Sequence, residues 1–316
     1  MTGPADLQVL EEFSTGYQAT RVTALPNGHI HWQHNLKTDR EGSYPPLDPD
    51  LTDRFTAASD PHVRFAAPCT AQPTEYSWEI AGRHSLATVL LPDAPTPAKH
   101  LEVFAHLGRQ LRALHDQPAS TGRPDAYPAP RGPSRLMAWL DRGQGTRASA
   151  GFHHLLRSRL GPSRWEKLRG FTHHLLHPEP AEHTSVLHGW FSLGNLILAD
   201  DPHISPRTFV LSGMDAAQGR PETDLAWLLG ELAEYRKATE RQGIDWPVLD
   251  TLQNTFLEHY GPGWNRDLVA AGSVVRIATH AHDFATYIGW GPQLHGYLPM
   301  LAELLDTDGA TALPTA

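Results

Sequence analysis

Residues 187–195 read Leu-His-Gly-Trp-Phe-Ser-Leu-Gly-Asn. A phosphoryl-transfer loop carries a histidine, a carboxylate two residues on, and an asparagine five residues after the carboxylate. The carboxylate orients the attacking hydroxyl and accepts its proton, and the asparagine ligates Mg²⁺ beside the nucleotide phosphates. In this chain His188, Gly189 and Asn195 stand at those positions, but Trp190 stands where the carboxylate belongs. An indole neither takes up a proton nor ligates a hard cation, so the loop keeps its spacing without its chemistry.

Further residues agree with the loop. Asp224-Leu225-Ala226 opens a run in which Leu225, Leu228, Leu229 and Leu232 repeat at helical spacing. Together these stretches resemble the aminoglycoside phosphotransferases and their choline and homoserine kinase relatives, over roughly residues 10–305. In that family the loop reads His-Gly-Asp and ends in Asn. A hairpin then ends in a second, metal-binding Asp, and twelve residues later an Asp-Leu-Ala opens a helix. Counting back twelve from Asp224 lands on Ser212, so the second aspartate is replaced too. Gly219-Arg220-Pro221 takes the place of the family's Gly-Asp-Pro. The stretch 107–116 resembles the family's helix after the hinge, Trp78–Gly82 its hinge, and Ser14-Thr15-Gly16 its nucleotide-covering loop. The nucleotide lysine falls to either His34 or Lys37, because a one-residue slip would invert the faces of the strand.

The resemblance implies an α+β, two-lobed protein-kinase-like fold, with Asp224 as a structural carboxylate that holds the loop backbone. It also implies that ATP and Mg²⁺ bind weakly or not at all. Magnesium requires oxygen ligands, and Ser212 offers only a neutral hydroxyl. No cofactor and no bound metal are expected. The reading is a catalytically degenerate, pseudokinase-like protein whose interlobe cleft, walled by Trp190, Phe191 and Asn195, binds a peptide, a partner protein or a small molecule. Two alternatives stay open. One is a repurposed enzyme of modified-peptide or other natural-product biosynthesis, with His188, Asp215 or a cleft histidine as base. The other is a residual small-molecule phosphotransferase, with Asp215 as a displaced metal ligand.

The elements that must position these residues follow from composition and pattern. The chain has 316 residues, 40% of them hydrophobic, and a net charge of −9 with histidine neutral. It lacks the basic stripe of a nucleic-acid binder. No apolar run approaches the ~20 residues of a membrane span, and the N-terminal residues lack a signal-peptide pattern. The single cysteine, Cys69, excludes an internal disulfide and is expected to be a small buried hydrophobe. A cytoplasmic protein is expected. Among the 20 histidines, His29 and His31 share a strand face, and His173 and His177 stand four apart on a helix.

Residues 7–13 are expected as a short helix, 16–25 and 29–36 as strands around Pro26-Asn27-Gly28, and 40–62 as a loop. Strands are expected at 62–66 and 75–80, and a hairpin at 193–200 with 207–213. Helices are expected at 101–115, 134–141, 147–160, 163–177, 222–240, 247–259, 265–288 and 295–305. The division is a β-rich lobe with hinge over 1–98, a helical lobe over 99–306 and a disordered tail over 307–316.

Overall fold

A computed structural model of the chain describes residues 7–14, 18–37, 43–44, 46–90, 98–117, 127–179, 182–201 and 203–315. Its strands are β1 (Val9–Ser14), β2 (Gln18–Ala24), β3 (Ile30–Leu36), β4 (Val63–Ala66), β5 (Thr70–Gln72), β6 (Glu75–Ile80), β7 (His84–Ser85), β8 (Ser185–Leu187), β9 (Leu196–Leu198), β10 (Thr208–Leu211) and β11 (Ala217–Gly219). Its α-helices are α1 (Pro49–Ala57), α2 (Leu86–Val89), α3 (Ala98–His115), α4 (Arg131–Arg142), α5 (Ser149–Leu176), α6 (Glu222–Glu240), α7 (Val248–Tyr260), α8 (Arg266–Asp283) and α9 (Pro292–Asp306).

The chain divides into two compact units, residues 1–90 with 193–215, and residues 91–192 with 216–316. The hairpin of β9 and β10 therefore belongs with the N-terminal residues, a correction to its expected place in the helical part. The β-rich unit holds a sheet in the order β1-β2-β3-β6-β5 and a second in the order β4-β10-β9-β7. Asn27-Gly28 turns the chain between β2 and β3, as expected. Gly28 has φ +81°, where a side chain would be strained, and the Asn27 Oδ1 accepts from the His29 N–H at 3.0 Å. Val22, Trp32, Tyr76, Trp78, Phe209 and Leu211 form the core of this unit. The Trp32 Nε1–H donates to the Gly82 carbonyl at 2.8 Å, so even the polar edge of that indole is satisfied.

Four local expectations are overturned. Residues 9–14 form an edge strand rather than a helix, pairing antiparallel with β2. The stretch 40–62 contains α1, whose N-cap Asp48 accepts from the Asp50 N–H and whose Pro49 fills the first turn. Leu51 and Phe55, four apart, anchor that helix in the core. The tail is placed rather than disordered: residues 310–312 form a 3₁₀ turn with Ala312 and Leu313 buried. Cys69 is exposed and its Sγ lies 3.3 Å from the Ser77 carbonyl, so it is not the buried hydrophobe expected.

In the helical unit, α6 and α8 approach closely enough to need glycine. A Cβ on Gly272 would lie 2.6 Å from that of Ala226, and one on Gly230 would meet the Ser273 backbone at 3.0 Å. The helices expected at 147–160 and 163–177 form one kinked α5, broken at Gly161 (φ +72°) before Pro162. The helix expected over 265–288 ends as α8 at Asp283 and continues as a π-turn over Phe284–Ile288. Between α6 and α8 the buried Glu234 accepts from Arg276, and from the Tyr297 hydroxyl and His280. Burial alone would raise the pKa of Glu234, but the charges of His280 and Arg276 overcome it and hold it at about 2. Among the described residues no helix is long and apolar enough to cross a membrane.

Candidate functional site

The loop that follows β8 is fixed from beneath by one carboxylate. Asp224, in the first turn of α6, is fully buried. Its Oδ2 accepts the His188 N–H at 2.7 Å and its Oδ1 accepts the Gly189 N–H at 2.9 Å. The His115 Nε2 lies 3.2 Å from the same carboxylate, and its Nδ1 lies 2.9 Å from the Tyr260 hydroxyl. Burial pushes the Tyr260 pKa well up, so the hydroxyl stays protonated and donates to His115 Nδ1. The Nε2–H is then free to donate to Asp224. Asp224 thus accepts from the loop backbone on one side and faces the His115 ring on the other.

His188 is one of the candidate bases; its ring is buried, and its Nδ1 accepts the Trp190 N–H at 3.3 Å. That nitrogen is occupied by the loop's own backbone, so the ring shapes the loop. Phe191 was expected to wall a cleft, but it is wholly buried, packed edge-on to His188 and against Phe256 with ring centroids 6.2 Å apart. It belongs to the core. Asn195 is buried at the end of a 3₁₀ turn over Leu193–Asn195.

Trp190 is half-buried. Its indole meets Trp227 edge-on at 5.6 Å between centroids, and the Arg135 guanidinium lies 5.3 Å above it. The fit is close on a third side, where a Cβ on Gly132 would come within 3.0 Å of the ring. Arg135 in turn donates to Asp283 at 2.7 Å, and the His282 Nδ1 lies 2.9 Å from the other carboxylate oxygen. Burial would raise the Asp283 pKa, but Arg135 and His282 outweigh it and hold the carboxyl below its usual range. No sequence signal joins Arg135 to Asp283, which lie 148 positions apart.

The β-rich unit carries the other half of the expected constellation. Ser212 is fully buried, its Oγ donates to the Val210 carbonyl at 2.8 Å, and its own carbonyl accepts the Trp78 Nε1–H at 3.1 Å. The hydroxyl proton is committed to the backbone two residues back, and the side chain offers a neutral oxygen where a carboxylate was expected. Asp215 is buried near His34 and Tyr76. Burial, aided by the negative charge of Asp215, pushes the Tyr76 hydroxyl up to about 12. His34 shares the inward face of β3 with Ile30 and Trp32, whereas Lys37 follows the last strand residue, Leu36. The His34 ring stands edge-on to Trp78 at 5.0 Å, with Gln18 Nε2 3.1 Å from its Nδ1. Thr15 and Gly16 of the expected nucleotide-covering loop lie outside the described residues. Of the positions 190, 195 and 212, none carries a carboxylate: Asn195 offers an amide oxygen and Ser212 a neutral hydroxyl bonded to its own backbone.

Burial lowers the His34 pKa from 6.5 to about 4, against the opposing pull of Asp215. Because the folded value is the lower one, the stability held by neutral His34 is complete above about pH 6.5. It is lost as the pH falls toward 4, where the unfolded chain binds a proton that the folded chain refuses. The loss across that window is on the order of 3 kcal/mol. Urea titrations at pH 7 and pH 4.5 should show this drop in the wild type and a much smaller one in His34→Gln. Equal drops would place the acid sensitivity elsewhere.

No protein-family model matches the chain, and no curated protein matches its sequence. Solved structures do match. A spectinomycin phosphotransferase in complex with ADP and spectinomycin is 10% identical, with a TM-score of 0.57 over 96% of this chain and 93% of that one. An amicoumacin kinase in complex with AMP-PNP and Ca²⁺ is 12% identical, with a TM-score of 0.59 over 99% and 91%. Choline kinase from Streptococcus pneumoniae is 12% identical, with a TM-score of 0.54 over 94% and 95%. The β-rich and helical units, in this order of elements, thus make up the two-lobed α+β fold of the aminoglycoside phosphotransferases and choline kinases.

Proposed function

We propose that this chain is a kinase-fold protein that does not transfer phosphoryl groups from ATP and instead binds a peptide or a small molecule at the surface beside Trp190. One observation carries the reading: the position of the proton-accepting carboxylate holds an indole, packed on Trp227 under Arg135. A half-buried indole with a guanidinium over its face offers stacking area and a cationic edge. Those features suit an aromatic or acidic side chain of a peptide. Ser212, with its hydroxyl committed to Val210, agrees with the loss of metal binding. A cytoplasmic setting belongs to the same proposal. A second reading, a repurposed enzyme of modified-peptide biosynthesis, draws on Asp215, a buried carboxylate close to His34. The fold gives it no substrate.

Titration calorimetry with ATP and Mg²⁺ should give no measurable heat at millimolar nucleotide. Micromolar, Mg²⁺-dependent binding would overturn the proposal. A peptide retained by the wild type should be lost from Trp190→Ala at least tenfold while the variant stays folded. Because Trp190 is only half-buried, that substitution should cost less than the ~3–5 kcal/mol of a fully buried Trp. Retention of the peptide by a folded Trp190→Ala would move the binding surface elsewhere. Chemical conversion of that peptide would favour the enzyme reading.

A further inference from the structure

Two of the histidines singled out by their spacing take no part in the site around Trp190. His173 and His177 are exposed and stand one turn apart at the C-terminal end of α5. Residues four apart on a helix have Cβ atoms about 5–6 Å apart, so their side chains either splay or converge. Here they converge: the ring centroids lie 4.3 Å apart, with the planes tilted by 45°. Beyond this contact, neither ring has a hydrogen-bond or ion-pair partner among the described residues. By contrast, His115, His153, His280 and His282 each have a ring nitrogen engaged, by Tyr260, the Leu140 carbonyl, Glu234 and Asp283 respectively.

The turn that presents the pair is held from beneath. Thr172 and Leu175 are fully buried, and Leu175 packs in the core of the helical unit. The His174 carbonyl accepts the Arg220 Nε–H at 3.1 Å, and the His177 N–H donates to the His173 carbonyl at 3.0 Å. Pro178 follows at once, and a proline pushes the residue before it out of the helical region, as the φ of −123° and ψ of 78° at His177 show. Both imidazoles therefore start from a fixed backbone, which lowers the ordering cost of a shared ligand. The helix end carries a partial negative charge, which favours a cation there.

We propose that His173 and His177 form a two-imidazole site for a transition-metal dication of the Zn²⁺, Cu²⁺ or Ni²⁺ class. Imidazole nitrogen suits these ions, whereas Mg²⁺ and Ca²⁺ require oxygen. No third His, Cys, Asp or Glu closes on the pair among the described residues, so water fills the remaining positions. Binding is accordingly weaker than at the three- and four-ligand sites of catalytic or structural zinc. The residue after His173 is His174, not the glutamate that serves as base where this spacing supports hydrolysis, so the site binds a metal without a catalytic partner.

The test uses the full chain, freed of metal, with CuCl₂ and ZnCl₂ as probes and MgCl₂ as control. The chain holds 20 histidines, so the readout is the difference between variants. Calorimetry with Cu²⁺ and Zn²⁺ should show one equivalent in the wild type that is missing from the double variant His173→Ala with His177→Ala, and Mg²⁺ should show none. His177→Ala alone should weaken that equivalent at least tenfold. His174→Ala should leave it unchanged, because the ring that meets His177 is that of His173. At one equivalent of Cu²⁺, electron paramagnetic resonance should show two imidazole nitrogens in the wild type and one in His173→Ala or His177→Ala. All three positions are exposed, so the metal-free melting temperatures of the variants should match that of the wild type, which separates loss of metal from loss of fold. Equal stoichiometry and affinity in the double variant, or loss of the equivalent on His174→Ala, would overturn the proposal.

Discussion

Asp224→Ala should lower the stability of the protein by on the order of 3–5 kcal/mol, the range for removing one partner from a buried charged cluster. For a chain of 316 residues that corresponds to a fall in melting temperature of roughly 5–8 °C. The substitution leaves three donors without an acceptor in a site closed to water, namely the N–H groups of His188 and Gly189 and the His115 Nε2–H. It also releases the Tyr260–His115 pair, whose orientation depends on the carboxylate at its far end. Asp224→Asn keeps one acceptor oxygen and turns an amide N–H₂ toward a donor, so it should recover about half of the loss. His115→Phe fills the same space and removes one donor and one acceptor together, so it should cost less than either. Denaturant midpoints for the three variants order these effects. An Asp224→Ala protein with the melting temperature of the wild type would show that the loop holds its course without the carboxylate. A carboxylate in a kinase-type motif invites a catalytic reading, and this result would separate scaffold from chemistry.

That role was legible because it depends on spacing along the chain. His188, Gly189, Asn195 and Asp224 keep the intervals that a loop packed over a helix N-terminus demands. The helices 222–240 and 247–259 declared themselves through leucine periodicity. The strand β1 did not, because Leu7, Leu10 and Phe13 fall at helical intervals, while pairing with β2 decides the outcome at the sheet edge. The helix α1 was hidden by the Pro and Asp residues that cap it. Phe191 shows a different limit. An aromatic residue in a functional loop has no feature that tells a wall from a core, and only its contact with Phe256 does so. The surroundings of Trp190 were equally out of reach, since Gly132, Arg135, Trp227 and Asp283 arrive from three separate helices. Each is an ordinary residue until its neighbours are known.

Trp190→Asp should fail to give phosphoryl transfer, and the reason is local. The new carboxylate would sit under the Arg135 guanidinium, which lies 5.3 Å from the present ring, in place of an indole packed on Trp227. Arg135 would hold it as a salt bridge and compete with Asp283 for the same donors. A carboxylate clamped by arginine is a poor base, because the neighbouring cation favours its ionised form and lowers its proton affinity. The substitution should also cost about 2–4 kcal/mol through the lost aromatic packing and the burial of a polar group. Adding Ser212→Asp supplies the second carboxylate, but at a site whose present side chain is fully buried and turned toward Val210. That carboxylate can serve a metal only if it swings away from its own strand. On the proposed reading, the double variant Trp190→Asp with Ser212→Asp should bind ATP–Mg²⁺ measurably in calorimetry and the wild type should not. Transfer to water, followed as ADP release, should stay at background until Arg135→Ala frees the carboxylate at 190. ADP release by Trp190→Asp alone would mean that a metal is already held by the wild-type residues. Asp215, buried three residues beyond Ser212, would then be the ligand, and the loss of phosphoryl transfer would rest on Trp190 alone.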